Sequence, residues 1–166
     1  MGILTADMRT VISNQELGFI ATVCPDGTPN LSPKGTTAAW DDDRIVFADI
    51  CSPRTIANLL VNPAIEINVV DPIIRKGYRF KGIAEVHKEG DLFEKAISKL
   101  YEDTIWKPHE RIHSIVIVNV QRALPLVSPA YDKGRTELEV IAQWMRHYEA
   151  LYGAVSEHSA PAGPLL

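Results

Sequence analysis

Short segments rich in β-branched and other apolar residues follow one another along this chain, and most of them are separated by turns. The clearest is Phe19–Cys24, which is closed by the turn Pro25-Asp26-Gly27. Strands joined by tight turns pair in antiparallel fashion, whereas parallel strands need long crossover connections. The pattern therefore predicts a mainly β protein with an antiparallel barrel, and not a doubly wound parallel sheet. About six strands of Greek-key type are predicted: Phe19–Cys24, the stretch from Pro29 to Trp40, Arg44–Ala48, Ala64–Val70, Tyr78–His87 and Ser114–Val120.

Four helices are predicted around these strands, from apolar residues at helical spacing and from capping residues. The first runs from about Thr5 to Leu17 and ends at Gly18, and the second starts with Ser52 as the N-cap and Pro53 as the first helical residue. The third starts at Asp91, and the fourth starts with a capping box of Thr136 and Glu139 and closes at Gly153. We therefore expect a single domain over residues 1–153 and a flexible Pro/Gly-rich tail over residues 154–166.

Length and composition exclude several classes of protein. The 166 residues are 46% apolar, and 17 bases against 21 acids give a net charge of −4, so a disordered chain is not expected. Apolar runs fall far short of the roughly 18 residues of a membrane span, and no secretory signal is apparent at the N-terminus. The mild acidity argues against nucleic acid or a membrane surface as the main partner. With two cysteines, Cys24 and Cys51, the sequence favours a cytoplasmic protein with reduced thiols.

The start of the second predicted helix has the composition of an anion site. A helix N-terminus offers unpaired N–H groups and a partial positive charge. Arg54 and Thr55 lie in the first turn and add a cation and a hydroxyl donor, a combination that suits a phosphate monoester. The alternative interpretation is an ordinary capped helix with an exposed arginine.

A second motif, His109-Glu110-Arg111-Ile112-His113, has the HExxH spacing of zinc peptidases. That mechanism needs both histidines on one face of a substantial helix. Here Pro108 precedes the motif and the predicted strand from Ser114 follows it directly, so a zinc site is the less favoured interpretation. No metal site is predicted.

Two further features have ordinary structural interpretations. The segment Lys76–Lys81 partly matches an RNA-reading strand, but alternation places Tyr78 and Phe80 on the core face and Arg79 and Lys81 on the other face. Those two bases remain weaker candidates for lining an anion site. Cys51 precedes a helix start, where a thiolate is favoured, but no base stands at a readable spacing for nucleophilic catalysis.

Several segments, taken in order, resemble the pyridoxamine-phosphate-oxidase-like family of FMN-binding split β-barrels. They are Phe19–Val23, Asp26-Gly27-x-Pro29, Ser32-Pro33-Lys34-Gly35, Arg44–Phe47, Ser52-Pro53-Arg54-Thr55-x-Ala57-Asn58-Leu59 and Asn62-Pro63. The resemblance is close from Leu17 to Val86 and looser up to Val120. Beyond Val127 no family feature is apparent.

The resemblance implies a homodimer with two FMN molecules between the subunits. Arg54 and Thr55 match the family's phosphate-binding pair, with Asn58 in support, and Ser32–Thr36 matches the segment beside the isoalloxazine ring. Trp106 is a weak candidate for a contact from the second subunit. The cofactor-binding residues predicted in this way are Ser32, Pro33, Lys34, Gly35, Thr36, Ala48, Asp49, Ser52, Arg54, Thr55 and Asn58.

The resemblance also implies a function, a flavin-dependent oxidoreductase acting on an unidentified small molecule. The chain ends in a helix and a Pro/Gly tail where pyridoxamine phosphate oxidases carry a segment with Trp and Arg residues, so that substrate is not expected. A non-enzymatic FMN-binding electron carrier is the main alternative, and the zinc hydrolase is a lesser one. Some relatives bind a deazaflavin or haem instead of FMN. No catalytic side chain is predicted, because the flavin itself supplies the redox chemistry.

Overall fold

The computed structural model describes residues 2–101 and 111–153. In chain order, the elements of this part are α1 (Ala6–Gln15), β1 (Gly18–Val23), β2 (Pro29–Lys34), β3 (Ala38–Ala39), β4 (Arg44–Asp49), α2 (Pro53–Val61), β5 (Ala64–Asp71), β6 (Lys76–His87), α3 (Asp91–Tyr101), β7 (Ser114–Val127), a 3-10 turn (Pro129–Tyr131) and α4 (Glu137–Tyr152). Each helix predicted from the sequence is present. The first is shorter than predicted because Glu16 adopts a left-handed conformation (φ 52°), which ends α1 before Gly18.

The strands form one sheet in the order β2-β1-β5-β6-β7-β4-β3. Strand β1 pairs antiparallel with β2 and with β5, and β4 pairs antiparallel with β3 and with β7. The predicted fold class, a mainly β antiparallel split barrel with flanking helices, is confirmed. Among the described residues the sheet has seven strands instead of about six, because the stretch from Pro29 to Trp40 is divided. A turn after Lys34 separates β2 from the two-residue β3, and the Thr37 hydroxyl donates to the Lys34 carbonyl across it at 2.9 Å.

The described residues form two compact units. One consists of the described parts of Met1–Val70 and Gly77–Leu126, and the other of Asp71–Lys76 and the described part of Val127–Leu166. The prediction of a single domain over residues 1–153 stays a prediction, and the predicted tail, 154–166, lies outside the described residues. No helix within residues 2–101 and 111–153 has the length and apolar character that a membrane span requires.

In the first unit, strand β4 is buried on both faces. Ile45 and Phe47 belong to one hydrophobic cluster, whereas Val46 and Ala48 belong to a second cluster together with Ala96 of α3. Side chains of a strand alternate between the faces of a sheet, so each cluster takes every second residue. Burial on both faces explains why the stretch from Ile45 to Ala48 is continuously apolar and does not alternate.

The second unit is held by polar and aromatic contacts. The predicted capping box of α4 is present between Thr136 and Glu139. Lys76 forms an ion pair with Glu137 at 2.7 Å. The Arg75 guanidinium lies 4.2 Å from the ring centroid of Trp144.

Candidate functional site

The turn between β4 and α2 differs from its predicted form. Ser52 was expected to cap α2 with its side chain, but it makes no side-chain cap hydrogen bond. Its hydroxyl instead donates to Asp49 Oδ1 at 2.6 Å, and its backbone N–H donates to the same oxygen at 2.9 Å. Ser52 is the N-cap residue as predicted, but its side-chain cap is absent because the hydroxyl is turned towards the Asp49 carboxylate, a charged acceptor three residues earlier. Pro53 has no N–H and the Ile56 N–H donates to the Ser52 carbonyl at 3.3 Å, so the amides of Arg54 and Thr55 are left without an acceptor among the described residues.

Arg54 lies in this first turn and is exposed. Within the described part of the chain its side chain has no hydrogen bond and no ion pair. The start of α2 thus carries a free guanidinium beside uncapped amides, and together these groups can bind a phosphate.

Thr55 and Asn58 point into the protein. They are 1% and 2% exposed. Asn30 Nδ2 donates to the Thr55 hydroxyl at 3.3 Å and to the Thr22 hydroxyl at 3.1 Å, and Asn58 Nδ2 donates to the Thr22 hydroxyl at 3.0 Å and contacts Cys24 Sγ at 3.5 Å. These contacts fix α2 on β1 and β2. Because Thr55 accepts from Asn30, its own O–H stays available as a donor.

Thr22 and Asn30 are site residues that the sequence analysis missed. Thr22 lies on the inward face of β1, where the neighbouring inward positions are apolar. A polar residue at an inward position is the one feature of the sequence that could have marked Thr22 as a site residue. Its partner Asn58 lies 36 positions away, and this separation hides the pairing.

Lys34 ends β2 and is 7% exposed. Its Nζ donates to the hydroxyl of Ser32 and, at 3.4 Å, to the carbonyl of Pro33. Burial lowers the pKa of Lys34, and the negative charge of Asp49 opposes this effect. A buried ammonium group with one hydroxyl partner and a lowered pKa is a strong hydrogen-bond donor in a region of low dielectric.

Asp49 is also buried, at 4% exposed. Ser114 of β7 stands directly opposite it in the β4–β7 pair, so both side chains lie on the same face of the sheet. The Ser114 hydroxyl is buried and has no hydrogen-bond partner among the described residues. Ser114 is not among the predicted site residues, because the register between β4 and β7 is not readable from the sequence.

The turn after β2 lines a pocket of ≈ 360 Å³. Gly35 and Thr36, both predicted beside the flavin ring, belong to its wall, and Ala48 does not. The Thr36 hydroxyl accepts from the N–H of Ala48 at 2.9 Å. Ala48 itself belongs to the second hydrophobic cluster, while Pro33 is exposed on β2.

The weaker candidates are placed as follows. Tyr78 and Phe80 face the first hydrophobic cluster as predicted. On the opposite face of the strand, Arg79 and Lys81 form ion pairs with Glu66 at 2.9 and 3.3 Å, so their charges are shared with an acid.

The HExxH motif is described only in part. His109, Glu110 and Trp106 lie outside the described residues. The described end, residues 111–113, is not α-helical, and β7 begins at Ser114 as predicted. Within residues 2–101 and 111–153 no group of three or more metal-ligating side chains comes together.

Comparisons with known proteins place this geometry in a family. The sequence profile described as pyridoxamine 5'-phosphate oxidase matches residues 4–149. An uncharacterized protein of Methanocaldococcus jannaschii is 28% identical over 127 residues, which are 75% of this chain and 82% of that protein.

Solved structures share the fold. The HupZ protein of Group A Streptococcus is 33% identical with a TM-score of 0.65, and the match covers 75% of this chain and 94% of that one. An FMN-binding protein from Syntrophomonas wolfei has a TM-score of 0.64 at 18% identity, over 75% of this chain and 87% of that one. Since the profile spans most of the sequence, the chain belongs to the pyridoxamine 5'-phosphate oxidase family.

Proposed function

We propose that this protein binds FMN and is a flavin-dependent oxidoreductase acting on a small molecule. The observation that carries the proposal is the exposed, unpaired Arg54 at the uncapped start of α2. Membership of the family and the fold shared with an FMN-binding protein support the same cofactor.

The phosphate of FMN fits the first turn of α2. A phosphate dianion accepts hydrogen bonds from free helix amides and is stabilised by the positive end of the helix dipole. Arg54 adds a charged, bidentate donor from the solvent side. The Thr55 side chain is 1% exposed and accepts from Asn30, so Thr55 contributes to the phosphate site through its backbone N–H.

The length of β2 supports a ligand that extends from α2 towards the turn at Gly35. Asn30 contacts Thr55 of α2, and Lys34 lies four residues further along β2. A strand rises about 3.3 Å per residue, so these positions are about 13 Å apart. A phosphate at α2 and a ring beside Ser32–Thr36 therefore suit one elongated molecule.

The protein's own groups have defined roles in this proposal. A bound flavin supplies hydride or electron transfer. Lys34 holds a buried positive charge in the segment proposed to line the flavin ring. A positive charge there would favour the reduced flavin, which carries more negative charge than the oxidised form. Arg54 and the α2 amides hold the phosphate, and the network of Thr22, Asn30 and Asn58 keeps α2 in position.

We further propose that the protein works in the cytoplasm as a homodimer, with FMN at the subunit interface. This part of the proposal rests on the family resemblance. It is tested by sedimentation of the protein with and without FMN.

The test begins with the absorbance spectrum of the purified protein after incubation with FMN and removal of free flavin. Bands at about 370 and 450 nm in stoichiometric amount are expected. A protein that retains no FMN after this treatment would refute the proposal. Zinc in stoichiometric amount together with no flavin would favour the hydrolase instead.

A second measurement separates the oxidoreductase from an electron carrier. Anaerobic addition of NADH or NADPH bleaches the band at about 450 nm when the bound flavin accepts a hydride directly. Bleaching by a reduced protein partner alone would favour the carrier. If the protein retained a deazaflavin or haem in preference to FMN, that molecule and not FMN would be its cofactor.

A further inference from the structure

The pocket beside the turn after β2 carries charged groups that the flavin assignment does not use. Helix α1 presents Arg9 and Ser13 to it, Glu16 follows at the C-cap of α1, and α3 presents Lys99. Arg9 and Ser13 are spaced i and i+4, so they lie on one face of α1. The volume of ≈ 360 Å³ lies within the range of small-molecule sites, about 300–1,000 Å³.

The wall formed by the turn is held in place from several sides. The Thr36 hydroxyl accepts from Ala48 N–H at 2.9 Å. The Thr37 hydroxyl donates to the Lys34 carbonyl at 2.9 Å, and the Thr37 N–H donates to the Glu16 carbonyl at 3.1 Å. Thr37 is 1% exposed. The pocket is therefore formed before any ligand arrives, which lowers the entropic cost of binding.

The two cations of the pocket are also positioned. Arg9 Nη1 donates to the Leu4 carbonyl at 2.5 Å and to Asp42 Oδ1 at 2.6 Å, which leaves its other nitrogens free to donate. Lys99 Nζ donates to the Trp40 carbonyl and lies 5.4 Å from the centroid of the Trp40 ring. Both side chains are thus fixed at the pocket wall without losing all their donors.

The charge of the lining selects a class of ligand. Lys99 forms no ion pair in the described part of the chain, and Arg9, although it pairs with Asp42 at 2.6 Å, keeps free nitrogens at the pocket. These charged donors favour an anion over a neutral ligand. A phosphate dianion would meet Glu16 with twice the charge of a carboxylate and so with about twice the repulsion. Apolar surface from Ala38, Ala39 and Leu100 completes the wall and suits a carbon skeleton.

We propose that this pocket binds a small organic carboxylate between Arg9 and Lys99. Gly35 and Thr36 belong both to the pocket and to the segment proposed to line the flavin ring, so the carboxylate is the class of substrate that the bound flavin would meet. This identification of the substrate class rests on the proposed function, whereas binding to the pocket is independent of flavin.

The test uses flavin-free protein and the pair benzoate and benzamide, which are matched in shape and differ in charge. Titrations are followed by amide chemical shifts in two-dimensional NMR. We expect saturable binding of benzoate, with the largest shifts in Gly35–Ala39 and the facing residues of α1, and binding of benzamide weaker by about fivefold or more. Lys99→Gln should weaken benzoate binding by a similar factor. Lys88 is exposed and lies outside the pocket, so Lys88→Gln should leave benzoate binding unchanged.

Two further variants test the charges of the pocket independently of Lys99. Arg9→Gln removes contacts to Leu4 and Asp42 as well as a pocket cation, so Lys99→Gln is the main variant. Glu16→Gln should strengthen benzoate binding by removing repulsion. Equal affinity for benzoate and benzamide, unchanged binding in Lys99→Gln, or shifts confined to other surfaces would overturn the proposal. Benzoate binding in a protein that fails to retain FMN would overturn the proposed function and leave the carboxylate site intact.

Discussion

The hydroxyl of Ser52 donates a 2.6 Å hydrogen bond to the carboxylate of Asp49, across the turn that joins β4 to α2. In most helices a serine at this position would accept from an amide of the first turn. Here the buried carboxylate takes the hydroxyl and the N–H of Ser52, so the turn is rigid while the helix amides stay unpaired. The amides of Arg54 and Thr55, which Ser52 leaves uncapped, can then bind an external anion.

Asp49 should therefore stabilise the fold as well as shape the site. Asp49→Ala leaves two donors of Ser52 without an acceptor and removes the charge that faces Lys34, so we expect a loss of about 1–3 kcal/mol in the free energy of unfolding. Asp49→Asn retains an acceptor oxygen and should lose less. Urea unfolding of the three proteins measures this order. An Asp49→Ala protein as stable as the wild type would show that the hydrogen bonds to Ser52 contribute nothing.

The polar network under α2 should contribute to stability as a unit. Asn58→Ala leaves the buried Thr22 hydroxyl with one donor fewer and opens a cavity, and we expect a loss of about 1–3 kcal/mol. The Thr22→Val, Asn58→Ala double variant should lose less than the sum of the single losses, because the two residues share one interaction. Additive losses in a double-mutant cycle would contradict the coupling.

The pH dependence of stability should report the buried Lys34. Its pKa is lowered from 10.5 mainly by burial, so the folded protein releases this proton at lower pH than the unfolded chain. Below the folded pKa the buried charge costs stability, and this cost disappears as the pH rises from the folded pKa towards 10.5. Lys34→Met removes the charge and should be more stable than the wild type near pH 7, with a difference that shrinks as the pH rises to 10.5. Urea unfolding of both proteins across this range measures the difference, and a difference that grows with pH would contradict the burial of Lys34.

A methyl group at Gly35 should leave the stability of the protein unchanged but should weaken the binding of FMN. A Cβ at Gly35 meets no atom within 4 Å, whereas a Cβ at Gly18 would lie 2.5 Å from the Thr37 hydroxyl. We expect Gly35→Ala to unfold at nearly the wild-type temperature and Gly18→Ala to be destabilised by about 1–3 kcal/mol. If the Gly35 backbone lines the flavin ring, Gly35→Ala should lower the affinity for FMN by about fivefold or more. Wild-type affinity for FMN in Gly35→Ala would remove this residue from the site.

Much of the fold was predictable because its signals are local. The turn Pro25-Asp26-Gly27, the proline at the start of α2 and the capping box of α4 depend on neighbours within a few residues. The apolar run of β4 was recognised as a strand, although burial on both faces became apparent only with the second cluster against α3.

The details of the site were less predictable because they depend on contacts between distant segments. Asn58 meets Thr22 from 36 positions away, and Ser114 meets Asp49 through the register of β4 and β7. Even the short-range pair of Ser52 and Asp49 was missed, because the Ser52 hydroxyl can either accept from a first-turn amide or donate to the nearby carboxylate, and the sequence does not rank these two arrangements. Arg54 was selected from the sequence because its position relative to the helix start needs no tertiary information.

Paired titrations of the wild type and Arg54→Ala with FMN and riboflavin test whether Arg54 binds the phosphate. Flavin fluorescence quenching gives both dissociation constants. We expect Arg54→Ala to weaken FMN binding by about ten- to a hundredfold and riboflavin binding by less than about twofold, while Arg122→Ala, at another exposed arginine, changes neither. Equal weakening of FMN and riboflavin in Arg54→Ala, or no weakening of either, would contradict a phosphate site at the start of α2.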